Sequence, residues 1–228
     1  MRSALTALAL ATTLLAAPAH AVLLGQSDSF ESGTTLNWRV GSPHPMPPSV
    51  LAGGGPAGAD DAYLLLQAEG GGGPASRLAV QNTEQWSGNY IAAGITALTM
   101  DVFNFGPASL SLRLLFDGDD GTNQARAWSA VPLVVAAGSG WQRLVFPILP
   151  SDLRAASGGT VNLALSSAYS VRLYHGVNSS FPGGSVVATL GVDNITAVPE
   201  PRAAALLAGG LAALAGLSWR RRRAAGQA

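Results

Sequence analysis

Apolar residues recur at every second position over much of 98–116, and that period sets the fold class. Leu98, Met100 and Val102 alternate with Thr99 and Asp101; Leu110, Leu112, Leu114 and Phe116 alternate with Ser111 and Arg113. A period of two lines one face of a sheet and cannot line one face of a helix. Asn104-Phe105-Gly106-Pro107 separates the runs, so together they read as a hairpin. The same reading marks strands at Ala62–Ala68, Ser76–Gln81, Arg126–Val135, Trp141–Pro147, Val161–Leu165, Ser170–His175 and Val186–Ile195. No segment between the two ends has a helical period. Gly53–Gly58 and Gly70–Pro74 read as low-complexity loops. Short strands at this spacing predict an all-β domain, a sandwich or barrel.

The ends follow other rules. Met1-Arg2-Ser3, an apolar run over Ala4–Ala17 and then Pro18-Ala19-His20-Ala21 have the order of a secretory signal peptide, with cleavage by signal peptidase after Ala21. At the other end, Val198-Pro199-Glu200-Pro201-Arg202 precedes an uncharged apolar stretch, Ala203–Trp219, and then Arg220, Arg221, Arg222 and Arg223. As a helix its 17 residues would span roughly 25 Å, the short end of what crosses a bilayer. Four Arg beyond it read as a cytoplasmic stop, which places the preceding domain outside. Three segments result: 1–21 (signal peptide), 22–197 (β-domain) and 198–223 (sorting tail).

Removing the ends changes the charge. The whole chain has 13 basic and 13 acidic residues and no Cys. Residues 22–197 hold seven Arg against twelve acids, a formal charge of −5. An acidic domain repels phosphate backbones, which argues against nucleic acid as a partner. The missing Cys excludes thiol catalysis and Cys-based zinc sites.

Pro-Glu-Pro, an apolar helix and an Arg cluster in this order resemble the PEP-CTERM sorting signal of exopolysaccharide-producing Gram-negative bacteria. The resemblance covers Val198–Arg223. It implies export across the inner membrane, a transient anchor through 203–219, cutting by an exosortase near Pro199-Glu200-Pro201, and delivery to the cell surface or extracellular matrix. The two prolines hold that strip extended and unpaired, a form that fits an extended-substrate cleft. The middle domain resembles galactose-binding-like jelly-roll carbohydrate-binding modules. Ser29-Phe30-Glu31 with Asn37-Trp38, the strand Ala97–Phe103, Trp141-Gln142-Arg143 and the closing Gly191-Val192-Asp193-Asn194-Ile195 carry that likeness. The expected architecture is a jelly-roll β-sandwich flanked by a signal peptide and one transmembrane helix.

The second resemblance implies a structural Ca²⁺ shared by Glu31 and Asp193, with Asp28 and Asp101 as helpers, because Ca²⁺ takes six to eight oxygens. Asp117-Gly118-Asp119-Asp120-Gly121 fails as an EF-hand, since its twelfth position is Trp128 and not Glu; it reads as a hairpin loop. For sugar stacking, Trp86 and Tyr90 are the candidates, because Gln85–Tyr90 is polar and does not alternate. Trp38 and Trp141 fall in strand patterns and are expected in the core. Neither His44 nor His175 accompanies a nucleophile motif. The expected role is non-catalytic: a surface or matrix protein, structural or bound to extracellular polysaccharide. The alternative is a secreted glycan-active hydrolase with a divergent site, which would need two carboxylates facing one cleft.

Overall fold

Both alternating runs are strands, but they lie in different sheets. The computed structural model describes residues 21–41 and 44–199. The strands, in chain order, are β1 (Ser27–Asp28), β2 (Ser49–Leu51), β3 (Tyr63–Glu69), β4 (Ala79–Asn82), β5 (Ala97–Asn104), β6 (Leu110–Asp119), β7 (Gln124–Ser129), β8 (Leu133–Val135), β9 (Gln142–Pro147), β10 (Leu153–Ala155), β11 (Ala168–His175) and β12 (Val187–Val198). Sheet A runs β2-β3-β12-β5-β9 with β1 beside β12; sheet B runs β10-β7-β6-β11-β4 with β8 beside β6. Every pairing is antiparallel. The result is an all-β sandwich of two antiparallel sheets.

The expected hairpin between β5 and β6 is therefore corrected. Alternation says which face of a strand is apolar, not which strand is its neighbour. Leu98, Met100 and Val102 meet Leu110, Leu112, Leu114 and Phe116 across the core, and all seven are fully buried. The crossing is held by Asn104, whose amide donates to the Ala108 and Val135 carbonyls and whose Oδ1 accepts from Gly106 N.

Other boundaries also moved. Val161–Leu165 is not a strand; Val161–Ser166 forms helix α1, and the Thr160 side chain caps it by accepting from Leu163 N. That Ser/Thr-type cap starts a helix too short to show a period. The span Arg126–Val135 divides into β7 and β8 around Pro132, which has no N–H to give a ladder. The first strand is Ser27–Asp28, so Phe30 and Glu31 lie beyond it. Asp117–Asp119 belongs to β6, and the hairpin turn is Asp120–Asn123, where Asp120 Oδ1 accepts from Thr122 N and Asn123 N. Those hydrogen bonds hold the Asp120 carboxyl below its usual range. The glycine-rich 53–61 loop is tied down by Gly54 N to Ala59 O, Gly55 N to Asp61 O and Ala57 N to Asp61 Oδ2. Among the described residues no helix is long and apolar enough to cross a membrane. Residues 1–20 of the signal peptide, Glu200-Pro201, the 203–219 stretch and Arg220–Arg223 lie outside the described residues.

Candidate binding faces of the sandwich

Four places bear on function: the tryptophan layer, the carboxylates around Asp193, and the outer faces of the two sheets. Trp86 and Tyr90 do not offer a stacking surface. Both are fully buried, as is Trp38. Asp28 points inward from edge strand β1, and its Oδ2 accepts from Trp38 Nε1 at 2.8 Å and Trp86 Nε1 at 2.7 Å. The Tyr90 hydroxyl donates to the Trp86 carbonyl, its ring packs edge-on against Phe116, and burial pushes its pKa up. A polar, non-alternating segment hid this, because loop residues can be buried without any period. Asp28 is thereby also removed from the expected metal helpers.

Glu31 and Asp193 do face one region. A bulge in β12 between Asp193 and Thr196 puts Asn194 at φ 50° and lets its amide donate to Asp101 Oδ2 and Asp193 Oδ2, both at 3.0 Å. Asp193 is fully buried, and its Oδ1 has no hydrogen-bond partner among the described residues. Burial raises its pKa to about 7, and the charges of Asp61, Asp101 and Glu31 add to the rise. Asp61 was not foreseen; its position in the 53–61 loop gave no signal. The donors are all oxygens and the orphaned carboxylate oxygen is what a cation would satisfy, so the chemistry fits Ca²⁺. Among the described residues no three acidic or His side chains stand close enough to hold an ion as they are.

On the outer face of sheet A, Tyr63, Phe103, Phe105 and Trp141 gather over Gly191, where an added Cβ would lie 2.8 Å from Trp141 Cη2 and 3.1 Å from Tyr63 Cδ2. Trp141 is thus half-buried on the outside rather than in the core. Its ring meets Tyr63 at 77°, Phe103 at 80° and Phe105 at 87°, and its Nε1 donates to the Gly54 carbonyl. These edge-on contacts use the rings on one another and on the 53–61 loop.

The outer face of sheet B is different. Register places Arg154, Trp128, Leu115, Arg172, Gln81 and Arg39 in one row across the sheet. Adjacent strands lie about 4.8 Å apart, so the row extends roughly 24 Å. Beside it, Asp117 is buried between Arg126 and Arg172, bonded to their Nε atoms at 2.7 and 2.9 Å. Phe181 lies against both guanidiniums, at 5.3 and 5.2 Å from its ring centre, and edge-on to Tyr174. Buried Arg113 donates to the carbonyls of Ser129, Ala130, Gly176 and Val177, which fixes the start of the loop carrying Phe181. Trp128 Nε1 donates to Ser179 Oγ in the same loop.

Between that loop and Val40, Gly41 and His44 runs a cleft of about 370 Å³, lined also by Arg77, Ala79, Arg172 and Phe181 among others. A second cleft, of about 320 Å³, shares Val40, Gly41 and His44 with it and brings in Arg39. Three buried polar atoms on this face have no partner among the described residues: Gln81 Oε1, Ser170 Oγ and the Tyr174 hydroxyl. Burial pushes the Tyr174 phenol up to about 12, with Arg113 opposing. An aromatic wall, a small floor at Ala79 and guanidinium donors suit an oxygen-rich ligand with one apolar ring face.

Comparison with protein-family models gave no match, and neither did comparison with curated proteins. Solved structures do match the fold. One is the family 11 carbohydrate-binding module from Clostridium thermocellum in complex with a β-1,3-1,4-mixed-linked tetrasaccharide, with TM-score 0.52, 14% identity, and 78% of this chain and 98% of that chain covered. Another is an exo-β-agarase, with TM-score 0.55, 17% identity, and 78% of this chain and 26% of that chain covered. At these identities the likeness shows the fold, a jelly-roll sandwich, and nothing finer.

Proposed function

We propose that this chain is an exported surface or extracellular-matrix protein whose sandwich domain associates with glycan without catalysis, and that the clefts on the outer face of sheet B are where it does so. The observation that carries the reading is the cleft at Phe181, where an aromatic ring stands beside the guanidiniums of Arg77 and Arg172. The tetrasaccharide held by a module of the same fold supports it. A hydrolase would need two carboxylates facing open space. Asp101 and Asp193 are the nearest approach to such a pair in register, and Asp193 is buried. The test is retention of the full-length chain, in mild detergent, on a polysaccharide array that includes the producing strain's own exopolysaccharide. Retention is the expected result; an array with no bound polysaccharide would remove the glycan role.

The export route belongs to the same proposal and rests on the two end segments. Signal peptidase would act after Ala21, and an exosortase at Val198-Pro199-Glu200-Pro201. Val198 is the last residue of β12, and its carbonyl accepts from Thr96 N. The motif therefore begins where the sandwich ends, with no linker, and the bonded Val198 favours cutting on the C-terminal side of it. Glu200→Ala is expected to leave the protein in the inner-membrane fraction of a producing host. Release to the medium at the normal level would count against the sorting assignment. We also propose that Ca²⁺ would draw Glu31 and Asp61 in towards Asp193, since as they stand the three are not close enough to hold it; bound there, the ion would supply charge neutralisation to Asp193 and tie the 53–61 loop to β12.

A further inference from the structure

The two outer faces carry opposite charge. On the outer face, the strands of sheet A carry Glu69, Asp101 and Asp193 against Arg143 alone. Those of sheet B contain Arg113, Arg126, Arg154 and Arg172 against Asp117 and Asp119. Arg39 and Arg77 join sheet B from the flanking segments, so six of the seven Arg in residues 22–197 gather at one sheet of a domain with twelve acids. Among the described residues no carboxylate lines either of the two joined clefts. Arg39, Arg77 and Arg154 are exposed and form no ion pair among the described residues.

We propose that the ligand of this face is an anionic polysaccharide with carboxylates repeated along its chain, and that Arg77 and Arg172 hold one acidic sugar in the Phe181 cleft while Arg39 and Arg154 meet others along the row. The inference rests on the glycan reading above and names its chemical class. A guanidinium gives a carboxylate two parallel hydrogen bonds, stronger than those to a neutral hydroxyl. Arg172 is already oriented by Asp117 and Phe181, so little side-chain entropy is lost on binding. Each cation on an exposed face contributes little alone, and a repeating polymer engages several at once. Nucleic acid is the other polyanion. The domain's overall charge of −5 opposes both polymers alike; what favours the polysaccharide is a face that holds a ring over guanidiniums rather than open platforms on which bases stack.

The experiment measures binding of the full-length chain in mild detergent to polygalacturonate, to the same polymer after carboxyl reduction, to a neutral β-glucan and to duplex DNA. Polygalacturonate is expected to bind best. Carboxyl reduction and Arg77→Gln should each weaken binding about tenfold, and raising salt from 0.05 to 0.5 M should weaken it as well. Arg77→Lys should recover part of the loss, and Glu69→Gln, on the other sheet, should leave binding unchanged. Equal binding of the native and reduced polymers, indifferent to Arg77→Gln, overturns the anionic assignment and leaves glycan binding standing. DNA bound as tightly as polygalacturonate overturns it too. Binding to none of the polysaccharides overturns the glycan reading itself.

Discussion

Asp28→Ala is expected to destabilise the domain by about 3–5 kcal/mol, because it leaves two buried indole N–H groups without an acceptor. Hydrogen bonds to a charged group contribute about 1.5–3 kcal/mol each, and each orphaned donor costs about 1–3 kcal/mol, with overlap between the two figures. Trp38 and Trp86 approach at 6.2 Å between ring centres and share the one Asp28 oxygen, so no neighbouring group can replace it for both. Gln85 Nε2 is a third, longer donor at 3.3 Å, and its better bond is to Leu36 O at 2.6 Å. At about 2–4 °C per kcal/mol for a domain of this size, the melting temperature should fall by roughly 6–20 °C. Asp28→Asn keeps an acceptor oxygen and should lose much less. A thermal melt followed by tryptophan fluorescence checks both. A melt of Asp28→Ala within a degree of the parent would mean that the carboxylate does not organise this layer.

The same pair of tryptophans shows where the sequence is readable. Trp38 falls in a strand pattern and is expected in the core; Trp86 is expected outside because Gln85–Tyr90 is polar. Both are buried on one carboxylate. Period-two alternation reveals faces of regular strands and says nothing about side chains buried from a loop. It located β3, β5, β6, β9, β11 and β12 closely, since each has one apolar face. It could not pair β5 with β9 and β12 or β6 with β11, because partners are chosen by long-range packing. The short strands β1, β2 and β10 have too few residues to alternate.

The basic face was legible in part. Arg113 lies between Leu112 and Leu114, Arg126 between Ala125 and Ala127, and Arg172 between Val171 and Leu173, all six of those neighbours buried. A charged residue between two inward apolar residues points outward from its strand. That these Arg share one sheet is a fact of register, and no local pattern carries it. The domain's net acidity concealed it further, since ten of its twelve acids lie in sheet A or in loops.

At Asp193, removal of Ca²⁺ and a change of pH should act on the same carboxyl. The folded-state pKa is about 7 and the ordinary value 3.8. Between those values folding takes up a proton, so the metal-free protein should lose stability as pH rises from about 4 through about 7, and level off above. The cause is burial first and the neighbouring carboxylates second. Asp193→Asn is neutral at every pH; in chelator at pH 8 it should melt higher than the parent and lose the slope assigned to this group. Calcium reverses the order. At a concentration about 100-fold above its dissociation constant, a bound ion adds about 2.7 kcal/mol, or roughly 5–10 °C of melting temperature. That gain should appear in the parent at pH 8, shrink at pH 5, where protons compete for Asp193, and vanish in Asp193→Asn. Glu31→Gln should diminish it, because Ala62 N can still donate to the amide oxygen while the ion loses a charge. A parent melt unmoved by Ca²⁺ at pH 8 would exclude the metal site and leave Asp193 a buried carboxyl that its surroundings keep protonated only below about pH 7. A melt that also ignores pH between 4 and 8 would show that Asp193 is ionised in the fold, held by a partner other than Asn194.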